Sequence, residues 1–295
     1  MRVLDWPDLP GWRADDHAAA LAAFRVSEDL FGLSADNDTA QAFFETHFEP
    51  VEVAATGSAH LTGYYEPEVS GSHQKSDRFS HALYALPAGI EPDLPWFSRA
   101  EIVARDLLNG LELVYLETAI EAFLAQVQGS IRVRLAEGGS LRLGFAGKNG
   151  HPYASIGKEL VARGVAPATD MTPARIRQWC AENPEDEQAL LNTNPSFVFF
   201  KPLDIAQDSG PLGAMGRPVT AGRSLAVDPA IIPLGSPVWI ETPETGGRLV
   251  IAQDIGSAIK GAGRGDLFFG TGDAAGIAAG ALNARGRMVL LRRRT

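Results

Sequence analysis

Arg248-Leu-Val-Ile-Ala-Gln-Asp254-Ile-Gly-Ser-Ala-Ile-Lys-Gly-Ala-Gly-Arg264-Gly-Asp266-Leu-Phe-Phe269 is the stretch on which the reading of this chain turns. Its first part is an apolar run that reads as a buried strand and closes on a carboxylate, Asp254. The second carboxylate, Asp266, follows a loop containing Gly256, Gly261, Gly263 and Gly265 and leads into Leu267, Phe268 and Phe269. Aspartate rarely enters apolar surroundings without a partner or a purpose. Glycines beside it let backbone and ligand approach closely. An aspartate near aromatics and a second aspartate acquires a raised pKa, as a general acid near neutral pH requires. The competing reading is a pair of turn or capping aspartates in a glycine-rich loop.

Around this stretch the chain reads as β. Phe197–Phe200, Pro218–Thr220, Leu225–Val227, Pro237–Ile240, Leu249–Ala252 and Met288–Leu291 are predicted strands. They are short and separated by Gly/Pro turns, as in a closed barrel. Asp273–Leu282 is the exception, a helix whose small residues allow close packing. Upstream, Val51–Ala54 and His60–Tyr65 are predicted strands, and residues 15–33 a helix capped by Asp15 or Asp16. Residues 66–97 hold several prolines and read as extended strands and loops. In the middle, helical patterns fall near 99–109, 116–127, 155–163, 172–182 and 185–192. Ile131–Leu135 and Leu141–Phe145 alternate strictly, and Gly138-Gly139 between them marks a hairpin turn.

Composition narrows the function. A chain of 295 residues is long enough for two domains. A formal net charge of −10 argues against a nucleic-acid partner, and the short run Arg292–Arg294 reads as a solvated tail. The single cysteine, Cys180, excludes an intrachain disulfide and reads as a buried structural thiol. The six histidines (His17, His47, His60, His73, His81 and His151) lack metal-ligand spacing, so neither metal nor other cofactor is expected. No run is apolar enough to predict a transmembrane segment, and Met1–Pro7 has no signal-peptide pattern.

The segment Ala221–Gly280 resembles the three-aspartate cell-wall domain. The likeness rests on Ser224-Leu-Ala-Val-Asp228-Pro, Ile232-Pro-Leu-Gly235, Ala252-Gln-Asp254-Ile-Gly-Ser-Ala-Ile-Lys-Gly261 and Gly265-Asp266-Leu-Phe-Phe-Gly270. Its three aspartates would be Asp228, Asp254 and Asp266. Further upstream, Thr62-Gly-Tyr64-Tyr65, Val127-Gln128-Gly129-Ser130, Ala146-Gly-Lys148-Asn149-Gly-His151, Ser155-Ile-Gly-Lys158 and Asn194-Pro-Ser-Phe-Val-Phe-Phe-Lys201 are similar to the membrane-bound lytic murein transglycosylase A family. The motifs keep their order over nearly the whole chain.

That resemblance implies a mainly β fold with helices (α+β). Residues 1–66 and 204–295 would form a double-psi β-barrel catalytic domain. Residues 67–203 would form an inserted smaller β-barrel domain, with the substrate groove between the two. It implies a cofactor-free lyase that cuts peptidoglycan glycan strands and leaves a 1,6-anhydromuramic end. The family is exported, often with a lipid anchor. The periplasm is therefore the expected compartment. Either a leader carrying an outer-membrane anchor preceded Met1 and was removed, or the anchor is absent.

Carried over residue by residue, Asp266 would be acid first and base afterwards, with Asp254 tuning it. Lys260 and Arg264 would oppose the upward shift of Asp266 if they point inward. Thr62, Gln128, Gly129, Ser130, Lys148, Asn149 and one of Tyr64 and Tyr65 would face sugar, since adjacent strand residues point opposite ways. Asp228 is either a further sugar contact or a turn residue, and Glu66 is a possible second acid. Two other readings stand beside this one. An inverting glycoside hydrolase would use Asp266 as acid and Asp254 as base. A non-catalytic wall-binding module would share the barrel, because fold alone does not fix function.

Overall fold

The structure, a computed structural model, describes residues 2–33, 39–91, 94–206, 209–243 and 246–294. Strand β1 (Arg2–Val3) is followed by helices α1 (His17–Arg25) and α2 (Ala40–His47) and by the long strand β2 (Phe48–Glu66). Next come β3 (Glu68–Ser72), β4 (His81–Tyr84), α3 (Arg99–Ala104), β5 (Glu112–Leu116) and α4 (Ala119–Gln128). Strands β6 (Ser130–Leu135) and β7 (Ser140–Lys148) precede helices α5 (Ile156–Ala162), α6 (Pro173–Glu182) and α7 (Pro184–Leu191). The chain ends with β8 (Val198–Pro202), β9 (Ser224–Ala226), β10 (Pro237–Thr242), β11 (Gly246–Asp254), β12 (Arg264–Thr271), α8 (Asp273–Ala281) and β13 (Asn283–Arg293).

Two units result. One comprises Met1–Tyr65, Ala206–Gly270 and Ala274–Thr295; the other comprises Glu66–Ile205 and Thr271–Asp273. In the first, strands run β2-β12-β9-β11-β10-β13, and β13 pairs back onto β2. The result is a closed six-stranded barrel, so the mainly β fold with helices is present as expected. Leu61, Leu225, Val227, Val250, Ala252 and Leu267 fill the interior. Helices α1 and α2 cover part of the outer wall. Phe24, Phe43 and Phe44 pack there on Trp239, Leu249 and Ile251. Burying a side chain of this size contributes roughly 1.5–3 kcal/mol.

In the second unit the sheet order is β4-β5-β3-β6-β7-β8, and an isolated bridge between Ala85 and Phe200 joins the two edge strands. The expected hairpin of β6 and β7 is antiparallel in the register Val133↔Leu141, with Gly138 and Gly139 both at positive φ in its turn. Side-chain hydroxyls of Thr118, Ser155 and Thr172 cap α4, α5 and α6, a local choice the sequence encodes directly.

Several expectations need correction. The helix expected over 15–33 stops at Arg25, and Leu30 falls in a separate 3-10 turn. Ser27 is buried and its hydroxyl donates to the Phe24 carbonyl at 3.1 Å, competing with helix continuation. The two strands expected at 51–54 and 60–65 are one strand, because both halves of β2 pair with β13. Pro218–Thr220 forms only an isolated bridge to Leu212, consistent with a proline that has no N–H for a ladder. Conversely, Arg264–Gly265 belongs to a strand despite its glycine. A Cβ on Gly265 would lie 2.8 Å from the Leu61 side chain, so glycine lets β12 seat against the core.

Candidate active site

The site grows from alternation on four neighbouring barrel strands. On β2, Leu61 points inward, so Thr62 and Tyr64 share the outer face. On β12, Leu267 points inward, so Asp266 and Phe268 share it too. On β9 Leu225 points inward, as does Val227 just past its end, and Ala226 lies between them, opposite Asp266. Strand β11 breaks the rule. Ala252 points inward, and strict alternation would send Asp254 into the same apolar interior. The register instead shifts between Ala252 and Asp254, which brings Asp254 opposite Ala226 on the outer face.

The extra residue is Gln253, and it is pinned. Its Nε2 donates to the Ala23 carbonyl at 2.9 Å, and its Oε1 accepts from the Ser224 hydroxyl at 2.5 Å. A polar residue closing a buried run was the only sequence signal of this bulge.

Asp266 is partly buried. Its Oδ1 accepts a very short hydrogen bond from the Thr62 hydroxyl, and no hydrogen bond from the described residues reaches its Oδ2. Burial, helped by the Asp254 charge, pushes the Asp266 carboxyl up to about 6 against the pull of Thr62, Arg264 and His60. Asp254 is held differently. Its Oδ1 accepts from the backbone N–H of Ala214 at 3.0 Å and of Ile255 at 2.9 Å, and its Oδ2 from the Tyr64 hydroxyl at 2.8 Å. Burial raises its carboxyl as well, against those three donors. Tyr64 packs on Phe268 with ring centroids 5.1 Å apart. Burial, and then the neighbouring Asp254 charge, raises its phenol well above the ordinary value.

The other expected residues fall into distinct places. Tyr64, not Tyr65, joins the aspartates; the Tyr65 ring lies against Gly276 of α8, where a Cβ would sit 2.8 Å from it. Thr62, expected on sugar, donates its hydroxyl proton to Asp266. Asp228 takes the turn role. It accepts from Gly261 N at 2.8 Å and Ala230 N at 3.2 Å, and the first of these chiefly lowers its pKa. It thereby ties down the loop between the two site aspartates. Lys260 is exposed, and its charge is felt at Asp228. Arg264 does point to the site, but through Thr62.

Glu66 is not a second acid. It is fully buried, with both oxygens 2.9 Å from Arg142 Nη2 and a further bond from Thr271 at 2.8 Å. Asn149, expected on sugar, is also fully buried. Its amide donates to the Phe97 and Pro195 carbonyls, each at 2.8 Å, and accepts from Phe197 N at 2.8 Å. Gln128 closes α4, Gly129 caps it at φ 78°, and the buried Ser130 opens β6. Lys148 ends β7 opposite Val198. Ser155 caps α5. Cys180 is buried, and desolvation pushes its thiol up to about 11, away from nucleophilic use. The sequence reading missed the backbone donor of Ala214, and nothing in a run of Gly and Pro around it marks that N–H in advance.

Comparison with known proteins identifies relatives of the whole fold. Residues 60–201 match the MltA specific insert domain and residues 223–292 match the 3D domain. The membrane-bound lytic murein transglycosylase A of Escherichia coli (strain K12) is 38% identical over 248 residues, covering 80% of this chain and 66% of the relative. The chain thus spans just under two thirds of that relative's length. Among solved structures, E. coli MltA with bound chitohexaose superposes with a TM-score of 0.83 at 30% identity, covering 100% of this chain and 95% of that one. The lytic transglycosylase LtgG of Burkholderia pseudomallei gives 0.66 at 40% identity, covering 99% and 95%.

Proposed function

Since the chain belongs to the membrane-bound lytic murein transglycosylase A family, we propose that it is a lytic transglycosylase acting on peptidoglycan. It cleaves the β-1,4 bond between N-acetylmuramic acid and N-acetylglucosamine and leaves a 1,6-anhydromuramic end. The observation that carries this reading is Asp266, a part-buried carboxyl raised to about 6 whose Oδ2 takes no hydrogen bond from the described residues. At mildly acidic to neutral pH a fraction of it is protonated and able to act as a general acid.

In the first step Asp266 gives its proton to the glycosidic oxygen as the bond to the muramoyl anomeric carbon breaks. The transition state is oxocarbenium-like. Asp254 carries the nearest second carboxylate charge, and its field favours developing positive charge on the sugar. In the second step the 6-hydroxyl of the same muramoyl residue attacks the anomeric carbon. Asp266, now ionised, takes the hydroxyl proton, which closes the 1,6-anhydro ring and restores the acid. An intramolecular nucleophile avoids most of the entropy of bringing in a second reactant.

The hydrolase alternative needs Asp254 to activate water. Three donors already occupy both of its oxygens, which leaves it poorly placed as a base. The chitohexaose held by the E. coli relative supports β-1,4-linked amino sugars as the substrate class. Of the insert residues, Gln128, Gly129, Ser130 and Lys148 remain the proposed glycan contacts. The relatives' name supports an envelope-associated enzyme, and the periplasm is the compartment proposed. No helix among the described residues is long and apolar enough to cross a membrane.

Mass spectrometry of products from purified murein sacculi tests the proposal. Anhydromuramic ends are expected. Reducing ends would turn the reading to a hydrolase, and intact glycan to a binding module.

A further inference from the structure

Arg264 lies two residues from Asp266 yet forms no salt bridge within 4.0 Å with any carboxylate among the described residues. Its Nη1 donates to the Gly265 carbonyl at 2.6 Å and the His60 carbonyl at 3.2 Å. Its Nη2 donates to Thr62 Oγ1 at 2.8 Å, and Thr62 in turn donates to Asp266 Oδ1. A direct guanidinium–carboxylate pair would favour the ionised form and deprive the acid of its proton. Here two carbonyls hold the guanidinium aside, and its only hydrogen-bonded route to the acid is through a hydroxyl.

The chain of donors has a direction. A guanidinium has donors only, and a hydroxyl has one proton and two lone pairs. Donation from a cation into Oγ1 withdraws electron density, so the hydroxyl becomes a stronger donor and a weaker acceptor. Its proton is therefore directed at Oδ1. An oxygen receiving that bond is the poorer seat for a second proton.

We propose that Arg264 is a positioning residue that acts through Thr62 to place the transferable proton of Asp266 on Oδ2, the oxygen that takes no hydrogen bond from the described residues. This rests on the reading of Asp266 as the acid. The proton leaves Oδ2 for the glycosidic oxygen and returns from the muramoyl hydroxyl. Thr62 and Arg264 change partners in neither step. The other charged or titratable groups facing Asp266 are Asp254 on β11 and His60 and Tyr64 on β2. None of them touches Oδ1.

The test combines Arg264→Met, Thr62→Val, Thr62→Ser and the double variant Arg264→Met/Thr62→Val, with Arg264→Lys as a charge-keeping control should the methionine variant not fold. Two measurements are made: kcat and KM on murein sacculi, and titration of the Asp266 carboxyl by 13C NMR in the unliganded protein. Arg264→Met should lower kcat about tenfold, the equivalent of one hydrogen bond, with KM within about twofold. Its Asp266 titration should move to higher pH, because a nearby positive charge is gone. In the Thr62→Val background the same change should add less than about twofold, and Thr62→Ser should recover most of the rate lost in Thr62→Val. Additive losses, an unshifted titration, or full kcat in Thr62→Val would overturn the proposal. Failure of the transglycosylase reading is separable. It appears as reducing-end products from the wild-type enzyme, while the NMR titration and the coupling of the two residues are read without reference to product.

Discussion

Asp254 and Asp266 stand opposite the same residue, Ala226, one on each flank of strand β9. Two strand spacings separate their Cα atoms, roughly 9–10 Å before barrel curvature is allowed for. At that range the two charges interact without sharing a hydrogen bond. Each therefore keeps its own surroundings: three donors on Asp254, one hydroxyl on Asp266. This asymmetry gives two chemically identical groups different surroundings, which the proposed mechanism uses to divide their roles.

Asp266→Asn should preserve the fold, because Oδ1 of asparagine still accepts from Thr62. It should lose turnover by about 10²–10⁴-fold. Binding of chitohexaose, measured by calorimetry, should be retained. A variant with half the wild-type rate would remove Asp266 from the acid role.

The same variant makes a prediction about stability. Folding raises the Asp266 carboxyl from 3.8 to about 6, so the folded state binds this proton more tightly than the unfolded chain. The resulting penalty is absent below pH 3.8, grows as pH rises towards 6, and is complete above it; its upper bound is about 3 kcal/mol. Partial exposure reduces it. Asp266→Asn should accordingly melt above the wild type at pH 7.5 and level with it near pH 3.5. Equal melting temperatures at both values would show that the carboxyl carries no such penalty.

For Asp254→Asn the pH profile is the readout. The Asp254 charge raises the Asp266 pKa, so its removal lowers that pKa. The limb of kcat/KM that falls as pH rises should move to lower pH, by about one unit if the effective dielectric constant is near 20. An unmoved limb with full activity would mean the two carboxyls do not couple.

Gln253→Ala removes the side chain that holds the bulge. It leaves the buried Ser224 hydroxyl without its acceptor and the Ala23 carbonyl with only the Val26 N–H at 3.3 Å. A loss of about 2–4 kcal/mol in urea unfolding is expected. The folded fraction should also turn over more slowly, because Asp254 is the next residue. Wild-type kcat in the folded fraction would show that the bulge does not depend on Gln253.

Glu66→Gln should separate stability from chemistry. The buried carboxylate sits against Arg142 at 2.9 Å and Arg132 at 3.6 Å, so neutralising it leaves guanidinium charge uncompensated. A loss of about 3–5 kcal/mol is expected, with kcat per folded molecule little changed. A kcat loss as large as that of Asp266→Asn would return Glu66 to the reaction.

Much of this molecule was legible before any coordinate. Alternation in Ile131–Leu135 and Leu141–Phe145 gave the hairpin of β6 and β7, since period and turn chemistry are local. Helical patterns near 116–127, 155–163 and 172–182 gave α4, α5 and α6 for the same reason. The motif around Asp254 and Asp266 singled out two carboxyls that the fold brings to either side of Ala226. Tertiary structure alone decided what each polar residue touches. Thr62 and Asp266 are 204 residues apart, and Glu66 and Arg142 are 76 apart. Asn149 and Glu66 read as candidates for ligand contact because polarity is visible in a sequence and burial is not. The bulge at Gln253 is the sharpest case: period 2 sends Asp254 into the core, and only the pairing of β11 with β9, fastened by Ser224 and Ala23, turns it outward to the face that carries Asp266.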